Sequence, residues 1–560
     1  MRMAKNKLSE FKFKKHDNVG CESAELDGSY LDECYYEIGD LEILLDCQSP
    51  KCVVLGRTGA GKSALLMEVE KQVEHAIRIN PEDLSLRYLS NSTILPKLEA
   101  MGVSLGLFYK LLWRHIFAVE LIKAKFGLRD EVDSRNFMAK IWDILTKDRE
   151  KESVINYLTD WGKEFWKNTE YRVKQVTSKL ESNIRNSLGV KHAGIFDAQA
   201  DRGENISLEE KGEIVNRLQD VVDAIQVQHL SKVIGLLGES IFCDPHPRFY
   251  VLVDQLDDNW VDDKFRYRLI KALVDTASEI NKKMLAVKII IAIHQDLLDL
   301  VFQQTREPGF QTEKYEPLMV PLRWNQEQLL EMLNRRVNAL IRRRWQGGRV
   351  TWANILPVKV QKEATEQFLV KRTLYRPRDL IVFFNACVEQ AQDQPEITPT
   401  MITNAENQYS LKRLNSLFDE WIVEFPELET CIDLLKKQPI QFRINMLPES
   451  LVLDLALNIA INEKPNQITT QARDLIDNKL GNRDFLAFLT GIFYKTGLVG
   501  LKTDSNAPVG WSFLPDQADL AMFDSDTVVH VCPAFWRALG INPKSESQEH
   551  IKRGRKSKSR

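Results

Sequence analysis

The stretch CVVLGRTGAGKSALLMEVEKQ, which begins at Cys52, constrains the fold of this chain more than any other. It joins a short apolar run to an uninterrupted helical pattern through a glycine-rich turn. The spacing G-x-x-x-x-G-K-S/T, in the strand-then-helix setting that this motif needs, is met by Gly56, Gly61, Lys62 and Ser63. The spacing predicts a loop that binds the phosphates of a nucleotide.

The residue types of this loop follow from how a backbone holds phosphates. Bare N–H groups and the positive end of the following helix bind anions, and glycines such as Gly59 keep side chains away and allow positive φ. Lys62 is expected to reach the β- and γ-phosphates, and Ser63 to ligate Mg²⁺. The predicted cofactors are therefore ATP and Mg²⁺, with the nucleotide held by Gly56, Arg57, Thr58, Gly59, Ala60, Gly61, Lys62, Ser63 and Ala64.

Composition limits the other functions that the chain could have. A length of 560 residues predicts several domains. The net charge of −3 gives no global attraction to nucleic acid, so DNA binding would need a local basic patch. The eight cysteines form no C-x-x-C pair, which favours reduced thiols in the cytoplasm over disulfides or structural zinc. The basic N-terminus has no apolar core and no apolar run is long enough to cross a membrane, so we expect neither secretion nor a membrane span.

Apolar runs along the first two thirds of the chain indicate an α/β fold. Besides the run before the glycine-rich loop, strands are expected within Asp83–Leu89, Arg248–Asp258, Leu285–Asp296 and Pro317–Trp324. Continuous apolar runs belong to parallel strands that are covered on both faces. Their alternation with helical patterns predicts a doubly wound P-loop domain with a parallel sheet.

The pattern along the chain predicts five segments. They are an N-terminal segment over 1–50, an ATPase core over 51–345 with a helical insertion over about 92–245, a helical lid over 346–415, a winged-helix-like domain over 416–545 and a basic, disordered tail over 546–560. The winged-helix prediction depends on the helical pattern RDFLAFLTGIFYKTG, which is followed by two short strand patterns. Such modules bind DNA or act as protein-interaction lids, and the tail is available to polyanions.

Acidic residues that follow the apolar run FYVLV are the expected metal and catalytic groups. Asp254 ends this run and is predicted to hold Mg²⁺ at the carboxyl edge of the sheet. Its neighbour is Gln255 instead of the glutamate that often orients the attacking water, so Asp257 is the expected base or a group near the metal. His294 or Gln295 closes the next strand and is expected to contact the γ-phosphate, with strand-end packing or helix capping as the alternative. An acidic first helical turn favoured by the helix dipole is the preferred interpretation for Asp258, Asp262 and Asp263.

Two arginine-rich stretches offer groups for charge stabilisation. Arg376 or Arg378, on either side of Pro377 at the entrance to a helix, is expected to sense the nucleotide. Arg335 or Arg336 is a candidate finger toward a neighbouring subunit. An arginine in either role stabilises charge on the transferring phosphoryl group; a solvated arginine is the alternative in both places.

Several segments together resemble a known group of proteins. They are VVLGRTGAGKSALL, VLVDQLDDNW, LRWNQEQLLEMLNRRV, RPRDLIVFFNACVEQA and ITPTMITNAENQYSLKRL, in that order. This set resembles STAND-like and AAA+-like P-loop ATPases, especially bacterial ones that are also related to origin-recognition ATPases. Many of these are encoded with phage-defence or DNA-maintenance genes. The resemblance covers roughly residues 20 to 540, although only the glycine-rich loop is specific by itself.

The resemblance implies roles for particular residues. It implies phosphate binding by Gly56 to Ser63, Mg²⁺ coordination by Asp254 and a sensor role for Arg376 or Arg378 in a helical lid. The strand ending IAIHQD departs from the usual polar or arginine sensor, and Gln255 implies slower or differently arranged hydrolysis. STAND proteins usually carry an effector domain and a repeat sensor. Neither is evident here, so we expect a separately encoded effector.

The leading hypothesis is a cytoplasmic ATPase whose nucleotide state sets its conformation or its assembly into an oligomer. It would act with a partner protein in phage defence or DNA maintenance. One alternative is a DNA-bound initiator or remodelling ATPase that uses the winged helix and the basic tail. The other is a nucleotide-binding interaction protein with little turnover, which the glutamine at Gln255 suggests.

Overall fold

A computed structural model describes residues 11–126, 177–187, 215–220, 234–306, 310–345, 349–503, 508–518, 524 and 527–542, apart from the single positions 85, 91, 93, 179, 217, 236, 259, 463 and 516. Much of the predicted helical insertion over 92–245, and all of the predicted tail over 546–560, lies outside the described residues. The described residues form two compact units. We call them the sheet unit, within Gly39–Arg57 and Lys62–Leu322, and the helical unit, within Met1–Ile38, Thr58–Gly61 and Arg323–Arg560.

Five parallel strands form the sheet of the sheet unit, in the order β2-β3-β4-β1-β5. The strands are β1 Val53–Gly56, β2 His75–Ile79, β3 Phe249–Val253, β4 Val287–His294 and β5 Met319–Pro321. Every residue of β3 is buried, as are all residues of β4 except the last. This burial on both faces explains their continuous apolar sequences. The prediction of an α/β fold with a parallel sheet is confirmed.

Helices cover this sheet. They are α2 Leu41–Leu45, α3 Lys62–Gln72, α4 Arg87–Ser90, α5 Ile94–Ala100, α6 Gly106–Phe126, α7 Asp263–Lys283 and α8 Gln295–Gln304. The amphipathic helix α7 packs against β4, α6 and α8, and its apolar face joins the main core. The helix α3 packs against α2, β1 and β4. No helix within the described part of the chain combines the length and the apolar character needed to cross a membrane.

One strand prediction is wrong. The described residues of Asp83–Leu89 form no strand, because a 3₁₀ turn covers Pro81–Leu84 and α4 starts at Arg87. The segment's leucines at 84, 86 and 89 are buried. Their spacing therefore comes from short helical turns that pack against the core, and not from a strand. The second strand in the chain is His75–Ile79, which pairs with β3 at the edge of the sheet. Its sequence HAIRI is short and partly exposed, so it lacks the continuous apolar run of a central strand.

The helical unit contains the other elements. Its helices are α1 Gly28–Cys34, α9 Gln326–Arg342, α10 Trp352–Ile355, α11 Thr365–Arg372, α12 Pro377–Gln390, α13 Pro399–Trp421, α14 Leu428–Cys431, α15 Glu449–Ala460, α16 Gln467–Ile476 and α17 Asn482–Thr496. Its strands are β6 Lys359–Val360, β7 Glu363–Ala364, β8 Gln441–Arg443, β9 Val499–Lys502 and β10 Val528–Val531. The last three form an antiparallel sheet in the order β8-β10-β9.

The N-terminal segment is part of the helical unit. The buried carboxylate of Asp27 accepts a hydrogen bond from Arg336 of α9 at 2.6 Å. Val19 donates its backbone N–H to the side chain of Asn385 at 2.8 Å. Phe13 is fully buried in the same core as α9 and α12. These contacts hold residues 11–38 against helices that lie more than 300 positions later in the chain.

Candidate functional site

The glycine-rich loop begins where β1 ends at Gly56. In the sheet unit, α3 starts with Lys62, whose side chain is only 7% exposed. Its ammonium donates hydrogen bonds to the backbone oxygens of Gly56 at 3.1 Å and Arg57 at 3.3 Å. The lysine therefore folds back over the start of the loop, so that its charge lies at the carboxyl end of β1.

Two glycines of the loop have backbone conformations that other residues rarely adopt. Gly59 has φ of +76° and Gly61 has φ of +98°. Both values lie in the left-handed region, where a Cβ atom is strained. In the helical unit, the Gly59 oxygen accepts from the N–H of Arg378 at 3.3 Å, and the Ala60 oxygen accepts from Trp324 Nε1 at 2.8 Å. The middle of the loop is thus held by hydrogen bonds that its backbone carbonyls accept from Arg378 and Trp324.

Asp254 follows β3 and contacts the residue after the loop lysine. The Ser63 hydroxyl hydrogen-bonds the Asp254 carboxylate, and the N–H of Gln255 donates to its Oδ1 at 2.9 Å. Burial raises the pKa of Asp254, while the bonds from Ser63 and Gln255 and the nearby Lys62 charge lower it. A serine hydroxyl and a carboxylate therefore meet directly beside the loop lysine.

The turn after Asp254 carries further carboxylates at this edge of the sheet. Asp257 lies with its Oδ2 3.7 Å from Nδ1 of His294. Burial raises the pKa of Asp258, and the charges of Asp257 and Glu82 raise it further. The side chains of Asp257 and Asp258 are exposed, so this turn presents negative charge to solvent.

The chain around these carboxylates is anchored at several points. Leu256 and Trp260 are fully buried, and the Trp260 indole donates to the Leu256 oxygen at 3.0 Å. Arg266 of α7 is buried and donates to the Asp257 oxygen at 3.4 Å. Gln255 has φ of +59°, which is uncommon for a residue with a side chain. The turn therefore has a defined shape and one strained position at its start.

The strand register brings His294 to the loop. In the parallel pairing of β1 with β4, His294 is the Cα partner of Gly56, and both end their strands. His294 is also the residue before α8, but its side chain does not cap that helix, which starts at Gln295. The sheet unit thus brings Lys62, Ser63, Asp254, Asp257 and His294 together at one edge.

The two candidate sensor arginines have different surroundings in the helical unit. Arg376 is 4% exposed, with its guanidinium 3.3 Å from Glu420 and 3.8 Å from Asp379. Arg413 completes this buried cluster, 2.8 Å from Glu420. Arg378 is half-buried and lies against Gly59, where its Nε donates to the Glu22 oxygen at 3.1 Å. Of the two, Arg378 is the one that contacts the glycine-rich loop.

The backbone before these arginines is strained. Leu374 and Tyr375 have φ of +50° and +54°, although neither is a glycine. Two consecutive left-handed residues of this kind are held only where the surrounding structure requires them. Leu374 is buried, and the Tyr375 ring lies 6.5 Å from that of Phe513. The turn they form sets the directions of Arg376 and Arg378 at the start of α12.

The candidate finger arginines are both engaged within the helical unit. Arg336 is buried and binds Asp27 together with the Val19 oxygen, at 2.6 and 3.0 Å. Arg335 donates to the Tyr35 oxygen and lies 4.9 Å from the Tyr36 ring. In this conformation both arginines therefore fasten the N-terminal segment.

Sequence reasoning missed three residues that contact predicted site residues, each within its own unit. Trp324 holds the loop carbonyl of Ala60, Arg266 holds the acidic turn, and Glu22 receives Arg378 through its backbone. Glu22 contacts Arg378 through its backbone carbonyl, so its side-chain type could not have predicted this contact. The other two residues are equally ordinary in a sequence. One is an arginine nine positions after Asp257, and the other is a tryptophan shortly after β5. Only the folded chain identifies them.

Comparison with known proteins finds distant likenesses. The sequence profile of the FunZ-associated C-terminal helical domain matches residues 327–418, which run from α9 into α13. Over 545 residues the chain is 21% identical to an Escherichia coli (strain K12) protein named "Putative transposon gamma-delta 80.3 kDa protein". That likeness covers 94% of this chain and 68% of the E. coli protein. No solved structure matches the chain.

Proposed function

We propose that this chain is a P-loop ATPase of the AAA+-like or STAND-like kind, whose nucleotide state sets its conformation or assembly. The observation that carries the proposal is the contact of the Ser63 hydroxyl with the Asp254 carboxylate, beside the Lys62 ammonium that folds over the loop. A hydroxyl and a carboxylate at this point are the protein ligands expected for a magnesium ion on nucleotide phosphates.

The topology of the sheet supports a ligand at the same point. The connection after β1 runs past β4 and β3 to β2 at one edge of the sheet. The connection after β4 runs past β1 in the opposite direction, to β5 at the other edge. With right-handed crossovers, these opposite directions put the connecting helices on opposite faces. In agreement, α3 packs with α2, whereas α8 packs with α7. Ligands of open α/β sheets bind where the connections after two neighbouring strands run to opposite faces of the sheet. The carboxyl ends of β1 and β4 are therefore the favoured place.

The donor set fits Mg²⁺ better than a metal held by protein alone. Among the described residues, no group of three or more histidine, cysteine or acidic side chains is arranged to hold a metal ion. Magnesium is usually bound by one or two protein oxygens, with the remaining positions filled by phosphate oxygens and water. Ser63 and Asp254 would supply the protein oxygens, and bound Mg²⁺ would neutralise charge on the phosphates.

Hydrolysis also needs a group that orients the attacking water. Asp257 is exposed and carries a carboxylate beside His294, at the end of the strand next to β1. We assign it as the base, with His294 fixing its orientation and contacting the γ-phosphate. The neighbouring Gln255 presents an amide and not a carboxylate, so it can position a water but cannot take its proton.

The sheet β8-β10-β9 supports a winged-helix-like module in the helical unit, because β8 precedes the helices α15–α17 and the hairpin strands β9 and β10 follow them. The helix before its hairpin, α17, is largely buried, through residues such as Phe485, Leu489 and Phe493. This burial disfavours reading of DNA bases by α17 and favours a role as an interaction lid. Contact with DNA would then fall to the basic tail, which keeps the DNA-bound initiator as the alternative.

The biological setting is inferred from the likeness alone. The E. coli relative is named as a transposon protein, which favours a role in DNA maintenance, including the control of mobile DNA, over other uses of such a switch. Phage defence with a separately encoded effector remains within the same proposal. Assembly into an oligomer would be the output of the nucleotide state.

Steady-state ATP turnover by the purified chain tests the proposal. We expect phosphate release that requires Mg²⁺ and that falls at least about tenfold in Lys62→Ala, because a charge-assisted contact to the phosphates is lost. Lys71→Ala is the matched control, since Lys71 is an exposed lysine on the same helix. ATP binding without turnover in the parent chain would favour the interaction-protein alternative. The absence of both ATP binding and ATP turnover would refute the proposal.

A further inference from the structure

A second pocket lies in the sheet unit, away from the glycine-rich loop. Its volume is about 470 Å³, within the range of about 300–1,000 Å³ that is typical of ligand sites. It is formed by the segment from the end of α5 to the start of α6, by α7, and by the end of α8. The charged residues that line it are Glu99, Lys110, Arg268, Lys271, Asp275 and Arg306.

Both carboxylates of this pocket are already neutralised. Asp275 pairs with Lys110 at 2.7 Å and accepts a hydrogen bond from the Tyr315 hydroxyl at 2.9 Å. Glu99 is matched in the same way, since it pairs with Arg268 and accepts from a tyrosine hydroxyl at 2.8 Å. Each acid thus has one cation and one phenol as partners, and neither remains to balance another charge.

Two further cations of the pocket have no acid to balance them. The Lys271 ammonium donates to the Thr305 oxygen at 3.3 Å and lies 5.0 Å from the Phe310 ring, but it forms no ion pair with a described residue. The exposed Arg306 forms no hydrogen bond or ion pair within the described part of the chain. Four cations therefore face two carboxylates. A cleft lined by an excess of one sign concentrates ligands of the opposite charge.

We propose that this pocket binds a phosphate-bearing ligand. A phosphate group carries up to two negative charges, which match the excess from Lys271 and Arg306, and both side chains form charge-assisted hydrogen bonds to its oxygens. Apolar residues of the same wall, Val103, Leu105 and Ala272, would contact the organic part of such a ligand. The phosphate belongs either to a free small molecule or to a nucleic-acid backbone, and the two sources share this chemistry.

The test uses the full chain carrying Lys62→Ala, so that the glycine-rich loop does not compete for phosphate. Lys271→Gln with Arg306→Gln removes the excess charge of the pocket. The matched control, Lys282→Gln with Lys314→Gln, removes two exposed lysines of the sheet unit that do not line the pocket. Inorganic tripolyphosphate is titrated by calorimetry, and a labelled oligonucleotide by fluorescence anisotropy at two salt concentrations.

We expect the pocket variant to bind at least one probe at least tenfold more weakly than the control. Loss for tripolyphosphate identifies a small phosphorylated ligand, whereas loss for the oligonucleotide alone, with a shallower salt dependence, identifies a nucleic acid. Equal binding of both probes by variant and control, or no binding of either probe by the control, would overturn the proposal. Arg306→Gln alone guards against misfolding, because the exposed Arg306 forms no hydrogen bond or ion pair with a described residue, and it should show the same loss to a smaller degree.

Discussion

Asp254 and Asp257 are three residues apart, yet they have different surroundings. Asp254 is partly buried and bonded to the Ser63 hydroxyl and a backbone N–H, which suits a carboxylate that holds a metal. Asp257 is exposed and lies beside His294, which suits a group that exchanges a proton with water. The different environments of the two aspartates thus support the proposed division into a metal ligand and a base.

This division predicts separable effects of two conservative substitutions. Asp257→Asn should keep Mg²⁺-dependent ATP binding and slow turnover at least about tenfold, because general bases typically contribute 10² to 10⁴ in rate. Asp254→Asn should weaken Mg²⁺-dependent binding as well, because it removes the carboxylate charge that would hold the metal. Single-turnover kinetics and ATP titrations distinguish the two outcomes. Parent-like turnover in Asp257→Asn, combined with slow turnover in Gln255→Ala, would transfer the water-positioning role to the glutamine.

The arginines at the start of α12 allow a similar separation. Arg376→Ala should lower the free energy of unfolding by about 3–5 kcal/mol, because it leaves the buried Asp379 and the partly buried Glu420 with Arg413 alone to balance them. Arg378→Ala should cost less than about 1 kcal/mol, since its side chain is partly exposed, while slowing ATP turnover at least about tenfold. Chemical denaturation and turnover are measured on both variants. A stable Arg376→Ala variant that has lost only turnover would assign the sensor role to Arg376 instead.

At the scale of elements, the loop between β1 and α3 depends on glycine in two ways. At Gly61 the left-handed backbone alone requires glycine, because a Cβ atom there would have no neighbour within 4 Å. At Gly59 a Cβ atom would also lie 2.7 Å from Cβ of Arg378. Gly59 therefore permits both a left-handed backbone conformation and a close approach to α12.

The two glycines should consequently differ when each is replaced by alanine. Gly61→Ala should destabilise the chain by about 1–2 kcal/mol, which is the backbone cost of a left-handed alanine. Gly59→Ala should lower the melting temperature further, since the overlap with Arg378 adds to that cost. Thermal denaturation of both variants checks this. Equal melting temperatures would show that the Gly59 contact with α12 does not persist in solution.

How far an element could be predicted from the sequence depended on its surroundings. The strands β3 and β4 were predicted because burial on both faces demands continuous apolar runs. The edge strand β2 was missed because one strand neighbour and partial exposure leave only a weak pattern in HAIRI. The loop residues were predicted from their spacing. The partners Trp324 and Glu22 were not, because their contacts use loop carbonyls or their own backbone.

At the scale of the whole molecule, long-range contacts decide the grouping of segments. Residues 11–38 belong with the C-terminal helices because Asp27 and Arg336 form a buried pair across 309 positions. No local pattern encodes such a pair. The predicted boundary between lid and winged-helix-like domain, at 415 and 416, falls inside the continuous helix α13, which contributes Arg413 and Glu420 to one charged cluster. The segments predicted as lid and winged-helix-like domain therefore share a helix.

Equilibrium binding of ATP decides whether the glycine-rich loop holds a nucleotide. ATP with Mg²⁺ is titrated by calorimetry into the parent chain, Lys62→Ala and the control Lys71→Ala. We expect saturable binding that Lys62→Ala weakens about 10- to 100-fold, which corresponds to the loss of a charged hydrogen bond of about 1.5–3 kcal/mol. Lys71→Ala should bind as the parent does. Equal affinity of the parent and Lys62→Ala for ATP would show that the nucleotide is not held by the loop from Gly56 to Ser63.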